Sequence, residues 1–367
     1  MRGRATWLAP SAGALWALGI VGCVVGGLID PAAFQRVWLC SFVFWLGLPL
    51  AGVTLVLVHD LSGGDWMETA RPILDAAIAT MPVASLAGIP SFVGLSSLYV
   101  WAHPDANLVN AFYLNVTGFF VRYAAYVIVW NLLAAFALWG PRQGKLPIAP
   151  AFSWISGIGL VVLAFSAAFA SIDWILSLES TFWSSAFTYL QPASWFNTGM
   201  AIVLFAAALY GSPAPGRRDH MADLARILLA TTIFWAYIEF IQLLVIWEEN
   251  LKTEIPWYLT RLQSDWHFAA YVSAGFGFFV PFFVLLWTPS KRSRRVVATI
   301  CGLIVISRVA DVWLLIMPEF KQGTPFGLNI AALLALGGAM VLLFLLGLRY
   351  PHRLAPTAVM VWRADHG

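Results

Sequence analysis

The stretch RVWLCSFVFWLGLPLAGVTLVLVHD, residues 36–60, decides the fold class of this chain. Between Arg36 and His59 it carries 22 consecutive uncharged positions. An α-helix rises about 1.5 Å per residue, so a run of roughly 20 apolar residues is long enough to cross the hydrocarbon core of a bilayer. The stretch therefore predicts a transmembrane helix.

Comparable apolar stretches fill most of the remaining chain. The 367 residues are 60% apolar and only 11% charged, whereas soluble domains average about 25% charged residues. This composition leaves no room for a sizeable soluble catalytic domain. The predicted spans are 11–29, 36–60, 72–101, 112–140, 150–174, 183–211, 223–249, 266–287, 295–317 and 328–348. We expect an all-α integral membrane protein with about ten transmembrane helices, and we interpret the N-terminal stretch as its first helix rather than a signal peptide.

The charges in the loops predict the orientation of the chain. We call the side of the N-terminus side A and the opposite side side B. Fifteen Lys and Arg residues fall on side A, four fall on side B and two lie inside spans. By the positive-inside rule, both termini are expected in the cytoplasm. Side B is acidic, and its loops either dock a basic partner or form an ordinary solvated face.

Two segments of the chain echo each other. The fifth span ends SIDWILSLESTF (171–182) and the ninth ends VADVWLLIMPEF (309–320), each with an Asp, a Trp, a Glu and a Phe in that order. This echo predicts two four-helix units in the same orientation. Their predicted ranges are 36–180 and 181–320, with a peripheral span in 1–35 and the last span and a cytoplasmic tail in 321–367.

Ionisable side chains within spans are costly in hydrocarbon, and they are candidates for function. Those of this chain are Arg122, Glu239, Arg308 and Asp311, and Gln242 shares a helix face with Glu239. One interpretation is a set of static ion pairs between helices. The other is a proton path, in which arginines set the charge balance of the carboxylates.

The proton-path interpretation involves residues nearer the membrane surfaces as well. Its carboxylates are Glu239, Asp311 and Asp173, with Asp173 as the exit at side B. Its arginines are Arg122 and Arg308, and His59 is a candidate entrance at side A.

The sequence predicts no cofactor bound by this chain. All six histidines lie at span ends or in loops, whereas a membrane haem with two histidine ligands needs them facing each other inside spans. The three cysteines are too few and too dispersed for an iron–sulfur cluster. No glycine-rich nucleotide motif is present, and the modest net charge of +3 favours no nucleic-acid partner.

Several motifs resemble one family. They are SFVFWLGLPLAGVTLVLVHDLSGGDW (41–66), FYLNVTGFFVRYAAYVIVW (112–130), IDWILSLESTFWSS (172–185) and WAYIEFIQLLVIWEENLKTEIPWY (235–258). From about residue 36 to residue 320 the chain resembles the ActF-type membrane subunit of bacterial alternative complex III, a distant relative of the NrfD/PsrC membrane anchors. The patterns DW-x-x-SLE and IW-x-x-N-x-x-x-E-x-PWY are the most specific.

This resemblance implies ten spans arranged as two four-helix bundles and two peripheral helices, in the bacterial inner membrane. It implies a subunit of a quinol:cytochrome c (or other acceptor) oxidoreductase, with menaquinol or ubiquinol as substrate of the complex. The implied partners are a sister NrfD/PsrC-like membrane subunit, an iron–sulfur subunit, and multihaem and monohaem cytochrome c subunits, together with the lipid bilayer. A role in scaffolding and in proton conduction follows for this chain.

The resemblance also marks individual residues. It carries over to Asp173, Glu179, Asn250, Glu254, Trp257, Arg122 and Asp311. Two positions depart from the family pattern: Glu239 where relatives are expected to be apolar, and Asp60 where relatives often have a second His. Two other functions stay open, a purely structural subunit and a stand-alone secondary transporter. Transporters of that kind often contain paired broken helices, and Pro82 and Pro90 interrupt only the third span.

Overall fold

The computed structural model describes residues 2–103, 110–140, 150–179, 182, 184–210, 220–252, 254–320 and 322–349. These residues form helices and connections with no β-strand, and they include ten helices long and apolar enough to cross a membrane. The chain is therefore an all-α, multi-pass membrane protein, as its composition predicts. Its helices are α1 (Arg2–Ile29), α2 (Pro31–Ser62), α3 (Met67–Ile78), α4 (Met81–Leu86), α5 (Ile89–Phe92), α6 (Leu95–Leu98), α7 (Val116–Trp139), α8 (Pro150–Trp174), α9 (Phe187–Tyr210), α10 (Met221–Glu249), α11 (Ile255–Gln263), α12 (His267–Ala274), α13 (Val280–Leu286), α14 (Thr288–Arg292), α15 (Arg294–Ile316) and α16 (Phe326–Arg349).

Local side chains fix the helix ends on side B. Asp30 caps α2 by accepting a hydrogen bond from the Ala33 amide at 2.9 Å, and Asn115 caps α7 by accepting one from Gly118 at 2.6 Å. Both are residue types that satisfy the free amides of a first helical turn. The fourth span consequently begins at Val116 and not at the predicted residue 112.

The third span is broken. It was predicted over 72–101 with interruptions at Pro82 and Pro90, and the structure forms the four short helices α3 to α6, beginning at Met67 and ending at Leu98. Pro82 and Pro90 each occupy a first-turn position of a new short helix. Proline lacks the amide proton that a continuous helix needs, so helices begin at these residues rather than run through them.

The long helices pack as two bundles. The first bundle contains α2, the third span, α7 and α8, and the second contains α9, α10, the eighth span (α12 and α13) and α15. The bundles meet mainly through α2 and α9, while α8 packs on α9 and α15 packs on α2. In the predicted two-unit arrangement α8 corresponds to α15 and α9 corresponds to α2, so these two contacts are counterparts of each other. The peripheral helices α1 and α16 pack on each other and on α2.

A buried aromatic cluster lies where the bundles meet. The ring of Trp174 at the end of α8 lies 6.2 Å from that of Trp195 in α9, 5.8 Å from that of Trp130 and 4.8 Å from that of Phe42. Each Trp or Phe side chain contributes a large apolar surface to this contact. The cluster fixes α8 against both its own bundle and the neighbouring one.

Candidate functional site: two buried carboxylate centres near side B

The first bundle holds an ion pair between Arg122 and Asp173. The Arg122 Nε donates to both carboxylate oxygens of Asp173, at 3.1 and 2.9 Å, and its Nη2 lies 2.9 Å from Oδ1. The Tyr126 hydroxyl donates to Oδ2 at 2.6 Å, and the ring of Tyr113 lies 4.0 Å from the guanidinium carbon. Asp173 is thus neutralised and well supplied with donors, an arrangement typical of a stable buried pair.

The second bundle holds a different arrangement around Asp311. Its carboxylate accepts hydrogen bonds from the Ser273 hydroxyl at 3.1 Å and from the Ser194 hydroxyl at 3.4 Å. Arg308, one turn earlier on α15, approaches Oδ2 to 3.3 Å. Both charged residues are almost completely buried. Three helices therefore converge on this one carboxylate, with longer contacts than those around Asp173.

The Arg308 side chain is held between two neighbouring helices. Its guanidinium carbon lies 3.3 Å from the ring centre of Trp235 on α10. On the other side is Gly277, in a π-helical turn, Gly275–Phe279, that joins α12 to α13. A Cβ atom at Gly277 would overlap Arg308 Nη2, so glycine leaves room for the guanidinium in its present position. Such π-helical turns are frequent at functional sites.

Two further polar residues lie one turn apart on α10, and Glu239 is the one close to this centre. Glu239 is partly buried and lies within electrostatic range of Asp311, Arg308 and Arg261. Its Oε2 is buried and has no hydrogen-bond partner among the described residues. One turn on, the Gln242 Oε1 accepts from Ser184 at 2.5 Å, while its Nε2 finds no partner in the same part of the chain. The second bundle thus contains two carboxylates beside Arg308, and some polar atoms that the described protein does not satisfy.

The two centres are variations of one arrangement. Arg122 lies six residues after the first residue of α7, and Ser273 lies six residues after the first residue of α12. Both contact the carboxylate near the end of the following long helix. In the second bundle a serine therefore takes the position of the arginine, and Arg308 supplies the positive charge from the carboxylate's own helix.

The charged residues that the sequence places inside spans fall into two separate groups in the structure. Arg122 contacts Asp173 in the first bundle, whereas Arg308, Asp311 and Glu239 lie together in the second. His59 belongs to neither centre. It lies at the side A end of α2, where its Nε2 is 2.9 Å from the Gly64 carbonyl oxygen. Its role as a proton entrance stays a prediction.

The motif residues at side B serve mainly to shape the connection around α11. Asn250 ends α10 in the left-handed conformation, with φ of 49°, which asparagine adopts more easily than most residues. Glu254 immediately precedes α11, and burial together with the neighbouring Glu249 raises the pKa of its carboxyl. Trp257 is buried and stacks on Phe182 at 4.9 Å.

The glutamates of the two echoed segments occupy corresponding places. Glu179 directly follows a 3₁₀ turn, Leu176–Leu178, after α8, and Glu319 ends a 3₁₀ turn, Met317–Glu319, after α15. Glu319 forms an ion pair with Arg261 of α11 at 2.6 Å. Glu179 also lies within electrostatic range of Arg261.

Sequence reasoning missed several residues of the second centre. Ser194 and Ser273 are ordinary polar residues in apolar spans, and no spacing distinguishes them from other serines. Trp235 resembles the many other tryptophans. Gly277 lies in the glycine-interrupted run GFGFF (275–279), the one local signal of an irregular helix. In the described part of the chain, no three His, Cys, Asp or Glu side chains are grouped closely enough to share a metal ion.

Comparison with known proteins adds no assignment to these centres. No protein-family model matches the chain, and a search of curated proteins finds no match.

Proposed function

We propose that this chain is a membrane subunit of a bacterial quinol:cytochrome c (or other acceptor) oxidoreductase, of the ActF type, with both termini in the cytoplasm. In this proposal, haem and iron–sulfur centres belong to partner subunits, and this chain binds no redox cofactor. It scaffolds the complex and conducts protons through the second bundle. The observation that supports proton conduction is the buried group of Arg308, Asp311 and Glu239.

The charge balance of that group supports a proton-carrying role. One guanidinium balances one carboxylate, and a second uncompensated charge in a buried site is costly. The Asp311–Glu239 pair can therefore hold a proton in place of the second negative charge. The hydroxyls of Ser194 and Ser273 are groups through which a proton can move, and the amide of Gln242 can hydrogen-bond a bridging water.

The first bundle supports the scaffolding part of the proposal. Asp173 is neutralised by Arg122 and hydrogen-bonded by Tyr126, so its contacts are those of a packing element that joins α7 to α8. A role for Asp173 as the proton exit is supported only by its position near side B. A purely structural subunit remains the alternative function.

A stand-alone secondary transporter is the alternative from another class. The broken third span is the feature that favours it, because interrupted helices often line substrate sites. The second irregular helix is the eighth span, which corresponds to the fourth span rather than to the third in the two-bundle arrangement. The two irregularities therefore do not form a matched pair, and the subunit proposal is preferred.

Proton-to-electron stoichiometry in proteoliposomes tests the proposal. We expect Asp311→Asn and Glu239→Gln, in the purified complex, to lower the proton-to-electron ratio while quinol oxidation continues. Asp223→Asn, at an exposed ion pair on the side A end of α10, is the matched control and should leave the ratio unchanged. An unchanged ratio in both buried variants would leave only the packing role for these carboxylates.

A further inference from the structure

The short helix α11 lies across the side B end of the second bundle. It connects the seventh and eighth spans and has two different faces. Leu259 and Leu262 are exposed on its outer face, whereas Trp257 and Arg261 are buried on its inner face. A nine-residue helix is too short to be stable alone in water. The position of α11 therefore depends on the contacts of its inner face.

Arg261 makes most of the polar contacts that hold this inner face. Its Nη2 donates to Glu319 Oε1 at 2.6 Å and to the Leu315 carbonyl at 2.7 Å, and its Nη1 donates to the Trp257 carbonyl at 2.9 Å. The guanidinium carbon lies 3.5 Å from the ring centre of Trp257. Burial lowers the pKa of Arg261, and the Glu319 carboxylate opposes this change. The ion pair with Glu319 is thus the main compensation for the buried charge of Arg261.

The inner face of α11 lies next to the second carboxylate centre. Tyr258 has a buried hydroxyl with no hydrogen-bond partner within the described ranges. Burial raises the pKa of Tyr258, and the negative charge of Glu239 raises it further. Glu239 also lies within electrostatic range of Arg261. Two residues of α11 therefore lie close to Glu239, whose Oε2 has no partner within the described ranges, and α11 follows on the side B end of α10.

We propose that Arg261 is a positioning residue, which holds α11 closed over the second bundle and thereby sets the access of water from side B to Glu239 and Gln242. The importance of this access rests on the proposed proton function, but the closure itself does not. Loss of the Glu319 charge would leave Arg261 buried without its ion-pair partner, with Glu179 as a remaining carboxylate in electrostatic range. Release of α11 into the aqueous surface would relieve that cost and open the centre.

Thiol labelling tests the closure directly. The labelled position is Gln242→Cys, in a background where the buried native cysteines Cys23, Cys40 and Cys301 are replaced by alanine. A charged, membrane-impermeant thiol reagent is added to side B of sealed, oriented vesicles that contain the whole complex. With Arg261–Glu319 intact we expect slow labelling. With Glu319→Gln we expect labelling faster by about tenfold or more, as for local opening of a weakened segment.

The matched control is Ser91→Cys, near the side B end of the first bundle, where the native serine is buried and its hydroxyl donates to the Gln35 carbonyl at 3.4 Å. Its labelling should not change with Glu319→Gln. If Glu319→Gln does not assemble, Arg261→Lys serves as the second variant, since lysine keeps the charge but not the fork of donors. Equal labelling of Gln242→Cys with and without these changes would overturn the proposal.

The outcome is separable from that of the proposed function because labelling needs neither electron transfer nor pumping. Proton pumping in the native complex, with unchanged labelling in Glu319→Gln, would remove the closure and keep the function. Accelerated labelling in a complex that never pumps would keep the closure and remove the function.

Discussion

Three arginines near side B share one form of stabilisation. Arg122, Arg261 and Arg308 each pair with a carboxylate and each place the guanidinium against an aromatic ring. Ring faces attract cations, and this attraction strengthens where water is excluded. The combination lets a chain with few charges keep several of them within or beside its spans. The cost of breaking each pair depends on how much water reaches the partner that remains.

The Arg122–Asp173 pair predicts unequal effects of its two single substitutions. Arg122→Gln leaves Asp173 almost fully buried with Tyr126 as its main donor, and we expect a loss of about 3 kcal/mol of stability. Asp173→Asn leaves an arginine whose side chain is 22% exposed and keeps the Tyr113 ring beside it, so we expect about 1–2 kcal/mol. The double variant should lose less than the sum. Detergent-induced unfolding followed by tryptophan fluorescence measures all three.

The exposed pair of Asp223 and Arg226 on α10 is the control for that experiment. Exposed pairs contribute about 0–1 kcal/mol, so the same double substitution there should change stability little. Additive effects of Arg122→Gln and Asp173→Asn would show that the two side chains are not coupled.

The sequence did not show which side chains of the site contact each other. Counting along predicted spans indicated the charged residues inside the membrane and their approximate depth. It did not show which way each helix is rotated, because rotation depends on packing against neighbouring helices. The sequence therefore did not indicate that Arg122 pairs with Asp173. Nor did any spacing predict that Arg308 packs against Gly277 and Trp235.

At the scale of the helix, the eighth span is shaped by its π-helical turn. The turn places Gly277 against Arg308 and leaves Ser273 free to donate to Asp311. An unbroken α-helix with a larger residue at 277 would exclude the guanidinium. The irregular turn is therefore part of the carboxylate centre and not a defect of packing.

Gly277→Ala should disrupt the second centre. The added Cβ would overlap Arg308 Nη2, and because Arg308 is fully buried, relief of that overlap should cost about 1–3 kcal/mol. Gly275→Ala, in the same turn, is the matched control because a Cβ there meets nothing within 4 Å. The detergent midpoints of the two variants should differ accordingly. Equal midpoints would mean that the Arg308 side chain moves aside without a loss of stability.

Helices differ in how well the sequence predicts them. All ten spans were predicted, because a long apolar run has few alternatives to a membrane helix. Pro82 and Pro90 indicated that the third span is interrupted, but the sequence did not show that it breaks into four short helices. The helix α11 was missed because it is short and its inner face contains an arginine. From sequence alone such a segment resembles a polar loop, and only the burial of Trp257 and Arg261 shows that it packs on the bundle.

At the scale of the molecule, the two bundles differ in how completely their carboxylates are satisfied. The first bundle has one carboxylate with one arginine and a tyrosine at short distances. The second has two carboxylates, one buried arginine paired with Asp311, and an oxygen on Glu239 with no hydrogen-bond partner among the described residues. This difference supports a division of roles, with the first bundle as scaffold and the second as the proton-carrying part of the proposed complex.

The most direct test of the central proposal is to identify what this chain assembles with. A tag at the C-terminus, gentle solubilisation of native membranes, mass spectrometry and reduced-minus-oxidised spectra give that answer in one preparation. We predict co-purification of c-type haem, an iron–sulfur protein and a sister membrane subunit of similar size. A chain that purifies alone and colourless, under conditions that keep known respiratory complexes intact, would contradict the oxidoreductase proposal.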